Sequence, residues 1–328
     1  MRTWSLRLSA VLLLPVAALA LASEARAQTE FPVKAIRLIA PVPPGSPPDI
    51  VARIFADALS QAFAQPVLVD NRPGANQTIG LGAVAASSPD GYTLGVVSLP
   101  TAVVPNLVAK MPYDTLRDFS PVREVAWTSN VLVVKAGSEV RSVQDLVAAA
   151  RARPGKITFA SGGNGTPAHV TGELFREQAG LDMLHVPFKG AVEGVNAVIA
   201  GDVDFMLASA GTVASQVRAG RLRALAQTTQ SRLPLLPEVA TFAELGFSGI
   251  DVRDWQGIVA PANTPPAVLV RLSTAMRDAV LRPEVQERLR KLGMEPVQHS
   301  DPQDFGVFLG AELKRWAAVA RASGLQAQ

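Results

Sequence analysis

From Ile36 onward the chain alternates short β-branched apolar runs with stretches whose apolar positions recur every three to four residues. Strands buried on both faces read as continuous apolar runs and their covering helices as stripes, so the alternation predicts βαβ units. Ile36 to Ala40 predicts a strand and Pro41 to Pro48 a proline-rich turn. Ile50, Ile54, Ala58 and Ala62 then form the stripe of a helix that Asp49 would cap. Pro66 to Asp70 predicts the next strand, and Tyr92 to Val97 a third after the turn Ser88-Pro89-Asp90-Gly91. A second series follows, with strands at Val131–Lys135, Ile157–Ser161, Leu184–Val186, Asp204–Leu207 and Leu222–Ala226. Its helices fall at Val143–Ala152, Pro167–Gln178 and Val195–Ala200, with Gly201, Gly211 and Gly220 as punctuation. After Trp255 to Ala260 the pattern is only helical, with stripes through Val268, Leu272 and Met276, then Val285, Leu289 and Leu292.

Helices without strands of their own must cover a sheet built elsewhere, so the late helices are expected to fold back on the first series. Residues 28–130 plus 256–328 would then form a discontinuous lobe 1 and residues 131–255 lobe 2. The chain would cross between them near residues 128 to 132 and 252 to 257.

The N-terminus changes the picture of where this fold resides. Arg2 and Arg7, the apolar run Leu8 to Leu21 and the small-x-small site Ala25-Arg26-Ala27 have the three-part form of a cleavable signal peptide, residues 1–27. The apolar run is shorter than the roughly 20 residues a spanning helix needs, and export to the periplasm is expected. Of 328 residues, removing 27 leaves 301, enough for two domains with separate cores. The chain has no cysteine, so neither disulfides nor a lipid-anchored cysteine enters the account. The precursor's net charge of +3 includes Arg2, Arg7 and Arg26 against Glu24, so the mature chain carries +1. That near-neutrality argues against nucleic acid as a partner.

Candidate chemistry concentrates in two strand-to-helix loops. Ser161-Gly162-Gly163-Asn164-Gly165-Thr166 lies between a predicted strand and helix, with Thr166 suited to the N-cap and Pro167 to the first helical position. Its glycines let several N–H groups and the positive helix end face one point, which suits a carboxylate or phosphate. His169 stands one turn into that helix and could face the crevice. Lys189, after Val186-Pro187-Phe188, could add a positive charge. Pro43-Pro44-Gly45-Ser46-Pro47-Pro48-Asp49 is the matching loop of the first series, and the two would face each other across a cleft that closes on a ligand. A tight turn with no ligand is the alternative at each loop. Gly163-x-Gly165-x-x-Ala168 and Gly80-x-Gly82-x-x-Ala85 match the dinucleotide fingerprint only loosely. The chain contains no G-x-S-x-G elbow, H-E-x-x-H, complete P-loop or cysteine nucleophile. His169, His185 and His299 are too scattered along the chain to suggest a metal site.

Together these stretches resemble the Bug family, the extracytoplasmic receptors of tripartite tricarboxylate transporters. The likeness is carried by Phe31-Pro32-Val33-Lys34, Val69-Asp70-Asn71-Arg72-Pro73-Gly74-Ala75, Pro89-Asp90-Gly91-Tyr92, Ser161 to Thr166 with His169, Val186-Pro187-Phe188-Lys189-Gly190, Gly201-Asp202-Val203-Asp204 and Trp255-Gln256-Gly257. The resemblance implies an α/β, two-lobed periplasmic binding protein of type II-like, Venus flytrap form, with mostly parallel sheets flanked by helices. It implies a monomer without catalysis or cofactor, holding a small organic acid and serving membrane transporter subunits or, alternatively, a sensor kinase. It further implies that Val42, Pro43, Pro44, Gly45 and Ser46, with Asp49, and Ser161, Gly163, Asn164, Gly165 and Thr166 hold a ligand carboxylate, with Ala208 and Ser209 beside them. The chain departs from the family where prolines 43, 44, 47 and 48 remove backbone donors. It departs again where Asn76 and Gln77 replace glycines, and where Glu193 replaces a proline.

Overall fold

The computed structural model describes residues 31–322; the predicted signal segment lies outside them. The first unit is β1 (Ile36–Ala40), α1 (Pro47–Phe63), β2 (Val67–Asn71), α2 (Thr78–Ala85), β3 (Thr93–Ser98) and a short α3 (Leu99–Val103). The second runs β4 (Phe119–Lys135), α4 (Val143–Ala152), β5 (Thr158–Ser161), α5 (Pro167–Gln178), β6 (Leu184–Pro187), α6 (Ala191–Ala200), β7 (Phe205–Ser209), α7 (Ala210–Arg218) and β8 (Leu222–Gln227). The chain returns through β9 (Arg253–Pro261), α8 (Pro266–Val280), α9 (Pro283–Lys291), β10 (Glu295–Pro296) and α10 (Pro302–Ala322).

The strands follow the order β2-β1-β3-β9-β4-β7-β5-β6, with β8 and β10 pairing β4 off that path. Pairing is parallel within β2-β1-β3 and within β7-β5-β6, and antiparallel where β9 and β4 run through the middle. β4 pairs β9 from Phe119 to Ser129, then changes partners and pairs β7 and β8 from Asn130 to Lys135. Thr228, just past β8, donates its N–H to the Asn130 carbonyl and accepts from Val252 N–H, so the return crossing lies against the outward one.

One core combines Val51, Phe55 and Leu59 of α1 with Leu38, Leu94 and Ile258 of the sheet and Val268, Leu272 and Met276 of α8. The late helices therefore cover the first parallel strands. A second cluster on the other sheet face takes Phe305, Leu309 and Trp316 of α10 together with Trp255. The second parallel set is covered by α4 and α5 on one side and by α6 and α7 on the other.

Three local expectations need correction. The helix after β1 begins at Pro47 with Ser46 as N-cap, so Asp49 stands in its first turn and not at its cap. Prolines at the first two helical positions allow the earlier start, because no intrahelical donor is lost there. The strand expected at Val131–Lys135 is the end of a 17-residue strand. Pro121, Arg123 and Glu124 interrupt its apolar pattern, but bulges absorb them, and the buried Arg123 guanidinium donates to the Gln298 and Ser300 carbonyls. Helices α3, α7 and α10 were not among the predicted elements.

Candidate functional site

Loops at the carboxyl ends of the parallel strands gather in one region. Ser161 closes β5 and is fully buried. Gly163 (φ +115°) and Gly165 (φ +76°) turn the chain through backbone that favours glycine. Gly163 N–H donates to Ser161 Oγ at 3.0 Å, and the same oxygen lies 2.6 Å from His185 Nε2 and 3.1 Å from the Gly163 carbonyl. The tautomer that satisfies all three contacts carries its proton on Nε2, which leaves the hydroxyl proton for Gly163. Thr166 caps α5 by position, but its hydroxyl donates to the Gly163 carbonyl at 2.7 Å and holds the loop, not the helix end.

Gly165 N–H donates to His169 Nδ1 at 3.1 Å. The His169 and His185 rings, 16 residues apart in sequence, lie 4.1 Å apart. Burial, reinforced by the like charges of His185 and Arg176, pushes His169 down to about 3, and burial pushes His185 down to about 4. Both rings are neutral at ordinary pH, and a neutral His169 is what the Gly165 bond requires. His169 thus braces the loop from beneath. His185 was missed as a site residue; its place one strand beside Ser161, on β6 paired to β5, was the available signal.

Gly162 and Asn164 N–H have no acceptor among the described residues, and Asn164 is exposed. The first turn of α5 carries no acidic side chain, so its positive end is unopposed. The chain around Lys189 is adjacent, since a Cβ on Gly162 would lie 3.0 Å from Ala191 N. Lys189 is exposed, and its backbone N–H donates to the Glu193 carboxylate at 3.2 Å. Glu193 is itself exposed. Ala208 is buried at the end of β7, and the Ser209 hydroxyl meets Thr212 Oγ1 at 2.7 Å.

The first loop has a different internal economy. Asp49 is 1% exposed and its carboxylate accepts from Gly45 N–H at 2.8 Å, Asn71 Nδ2 at 2.7 Å and Arg53 at 3.0 and 3.1 Å. Burial pushes this carboxyl up, but the bonds from Arg53, Gly45 and Asn71 outweigh it and hold it below the usual range. The Ser46 hydroxyl donates to the Pro43 carbonyl at 2.7 Å, and Asn71 also takes the buried Val42 carbonyl at 3.1 Å. Pro43 and Pro44 are exposed.

The two loops are connected through contacts of the intervening chain. Pro41 packs against Gly80, Gln77 Nε2 reaches Ser98 Oγ at 3.3 Å over the end of β3, and Val104 and Leu107 beyond α3 stand against Gly165. Val170 and Leu174 of α5 share a buried cluster with Leu99, Ala102 and Val103. Loops from the carboxyl ends of both parallel strand sets therefore lie side by side, with the Ser161–Thr166 turn among them.

Loops gathered at the carboxyl ends of two parallel strand sets, which are joined by paired crossing strands, define the class of two-lobed α/β binding proteins. The comparisons give the family: the profile described as "Tripartite tricarboxylate transporter family receptor" matches residues 51–325. The chain is 36% identical to Protein BugT of Bordetella pertussis over 97% of this chain and 98% of that one. Among solved structures, R. palustris Rpa4515 with adipate has a TM-score of 0.84 at 31% identity, covering 91% of this chain and 100% of that one. MatC of Rhodopseudomonas palustris with bound malate has a TM-score of 0.80 at 27% identity, covering 88% and 99%. The chain belongs to the tripartite tricarboxylate transporter receptor family, the family of the Bug proteins.

Proposed function

We propose that this protein is a non-enzymatic periplasmic receptor that captures a small carboxylate between lobe 1 (28–130 plus 256–328) and lobe 2 (131–255) and delivers it to a membrane transporter. The carrying observation is the Ser161–Thr166 turn, whose Gly162 and Asn164 N–H groups are uncommitted at the acid-free start of α5, with Lys189 beside them. The adipate and malate in the two related structures support a carboxylate as the captured group. The contact of Ser161 with His185 has dyad-like reach, but the hydroxyl is 0% exposed and holds Gly163, so it shapes the turn and attacks nothing. The return crossing beside Asn130 is the hinge about which the lobes close.

Thermal-shift titration with mono-, di- and tricarboxylates tests the reading. A ligand at about 100 times its dissociation constant stabilises by about 2.7 kcal/mol, which moves the melting point by several degrees. A melting point unmoved by every acid but raised by an amine or an aromatic amide would end the carboxylate assignment. Gly163→Val, which a φ of +115° does not accommodate, is expected to abolish the shift. For delivery, the ligand-loaded protein should retain a membrane transporter subunit in a pull-down; retention of a sensor kinase instead would redirect the partner.

A further inference from the structure

The first-lobe side of the crevice is chemically unlike the second. Prolines at 43, 44, 47 and 48 offer no N–H, Gly45 N–H is held by Asp49 and the Ser46 hydroxyl by Pro43, so only the Ser46 and Asp49 N–H groups at the acid-bearing start of α1 lack an acceptor among the described residues. The positive end of α1 already has an acid, Asp49, in its first turn. The nearby cations are committed as well: Arg53 to Asp49 at 3.0 Å and Arg72 to Asp70 at 2.8 Å. On the second-lobe side Lys189 enters no ion pair among the described residues, although Glu193 lies close to its backbone. Among these cations only Lys189, exposed on the segment beside Gly162, is without a carboxylate partner among the described residues.

An uncharged polar group stands at the end of β3, the strand beside the β1 that leads into the proline loop. Ala75, Asn76 and Gln77 are consecutive non-glycine residues at φ 43°, 53° and 76°, the left-handed region that L side chains disfavour. That backbone aims the Gln77 carboxamide at Ser98, at the carboxyl end of β3. The two side chains meet only at 3.3 and 3.4 Å. Bonds this long exchange readily for a ligand group, and a carboxamide offers both a donor and an acceptor.

We propose that Gln77 and Ser98, with the exposed Pro43-Pro44 face, form a neutral first-lobe subsite that determines specificity, and that the ligand is a monocarboxylate with an uncharged far end. Its carboxylate is held by the Ser161–Thr166 turn, and a second carboxylate would meet proline rings and no free cation. The assignment rests on the binding reading above and narrows the class of acid.

Isothermal titration with three probes of equal chain length tests it: adipate, its monoamide and hexanoate. The monoamide and hexanoate are expected to bind about tenfold or more tightly than adipate. Gln77→Gly, which suits its backbone and should fold, is expected to weaken the monoamide about fivefold while leaving hexanoate within about twofold. Pro43→Ala with Pro44→Ala restores two N–H groups and should tighten adipate about threefold or more. Adipate binding as well as or better than both monocarboxylates would overturn the neutral subsite while leaving a carboxylate receptor in place. Unchanged monoamide affinity in Gln77→Gly would remove Gln77 from it. If no carboxylate binds in this set or in the wider panel, the receptor reading falls and this inference with it.

Discussion

The two strand-to-helix loops share a layout, a turn rich in glycine or proline leading into a helix whose first residue is proline, yet they dispose of their polar groups in opposite ways. The Pro41–Asp49 loop turns inward: its acid accepts from the Gly45 N–H and Arg53, and its hydroxyl donates to the Pro43 carbonyl. The Ser161–His169 loop is braced from below by Ser161, His185 and His169, which leaves the Gly162 and Asn164 amides and a cation on its open side. On the proposed reading, what distinguishes a binding turn from a structural one here is where the internal acceptors lie, beneath the loop or within it. Glycine content alone does not decide.

The largest expected effects separate the two. Asp49→Ala strands the Arg53 guanidinium, Asn71 and Gly45 N–H, and should destabilise the fold by about 3 kcal/mol in chemical denaturation. The folded variant should still bind its acid within about threefold of the parent, because the loop serves stability more than grip. The converse variant, Lys189→Met, changes an exposed side chain and should move stability by less than about 0.5 kcal/mol. Its ligand affinity should fall about tenfold, or about 1.4 kcal/mol. If the first variant loses binding and the second keeps it, the roles of the loops are reversed.

Acid separates them next. Unfolded histidine takes up a proton near 6.5, whereas folded His169 and His185 wait until about 3 and about 4. Their contribution to stability is therefore complete above pH 6.5 and is lost as pH falls toward their folded values. Asp49, lowered from 3.8, behaves otherwise: its contribution persists until pH falls below that value. Asp254 and Glu124, raised to about 7 by burial, act in the reverse direction, stabilising as pH falls through that range. A variant comparison removes their contribution. Between about pH 7 and pH 5 the stability of the parent relative to His169→Gln should drop by about 1–2 kcal/mol, since glutamine can accept the Gly165 bond without titrating. A constant difference across that range would mean that His169 is not held neutral beneath the loop.

Much of this contrast could be read in advance. The βαβ rhythm, the strandless late helices and the Thr166-Pro167 helix start follow from periodicity and capping, both local properties of the chain. Val42 to Ser46 and Ser161 to Thr166 stood out because glycine and proline constrain backbone in ways visible in sequence. The long β4 was hidden, because Arg123 and Glu124 interrupt its apolar run and are accommodated only by bulges and by carbonyls some 170 residues away, at Gln298 and Ser300. His185 was hidden for a related reason: its meaning depends on β5–β6 register, which places it across from Phe159 and within reach of Ser161. Gln77 was visible as a departure from the family's glycines, but its direction toward Ser98 depends on a left-handed backbone that propensity argues against.

The smallest effect tests whether the loops differ in their part in closure. Gly45 and Gly165 both have left-handed backbone, at φ +84° and +76°, so alanine at either should cost about 1 kcal/mol from conformation alone. A Cβ on Gly45 would meet nothing within 4 Å, whereas one on Gly165 would lie 3.1 Å from Leu107 Cδ1 and 3.5 Å from Val104 Cγ2. On the proposed hinge closure, that crowding would arise when the second-lobe loop seats against the chain beyond α3 and be relieved when it parts. Gly165→Ala should therefore weaken ligand binding about threefold to tenfold while Gly45→Ala leaves it unchanged, even where denaturation gives the two similar losses. Leu107→Ala in the Gly165→Ala background should restore much of the affinity, because it removes the atom the new methyl meets. Equal binding losses for the two glycine variants, with no rescue, would show that the Gly165 contact is a feature of packing and takes no part in closing the crevice.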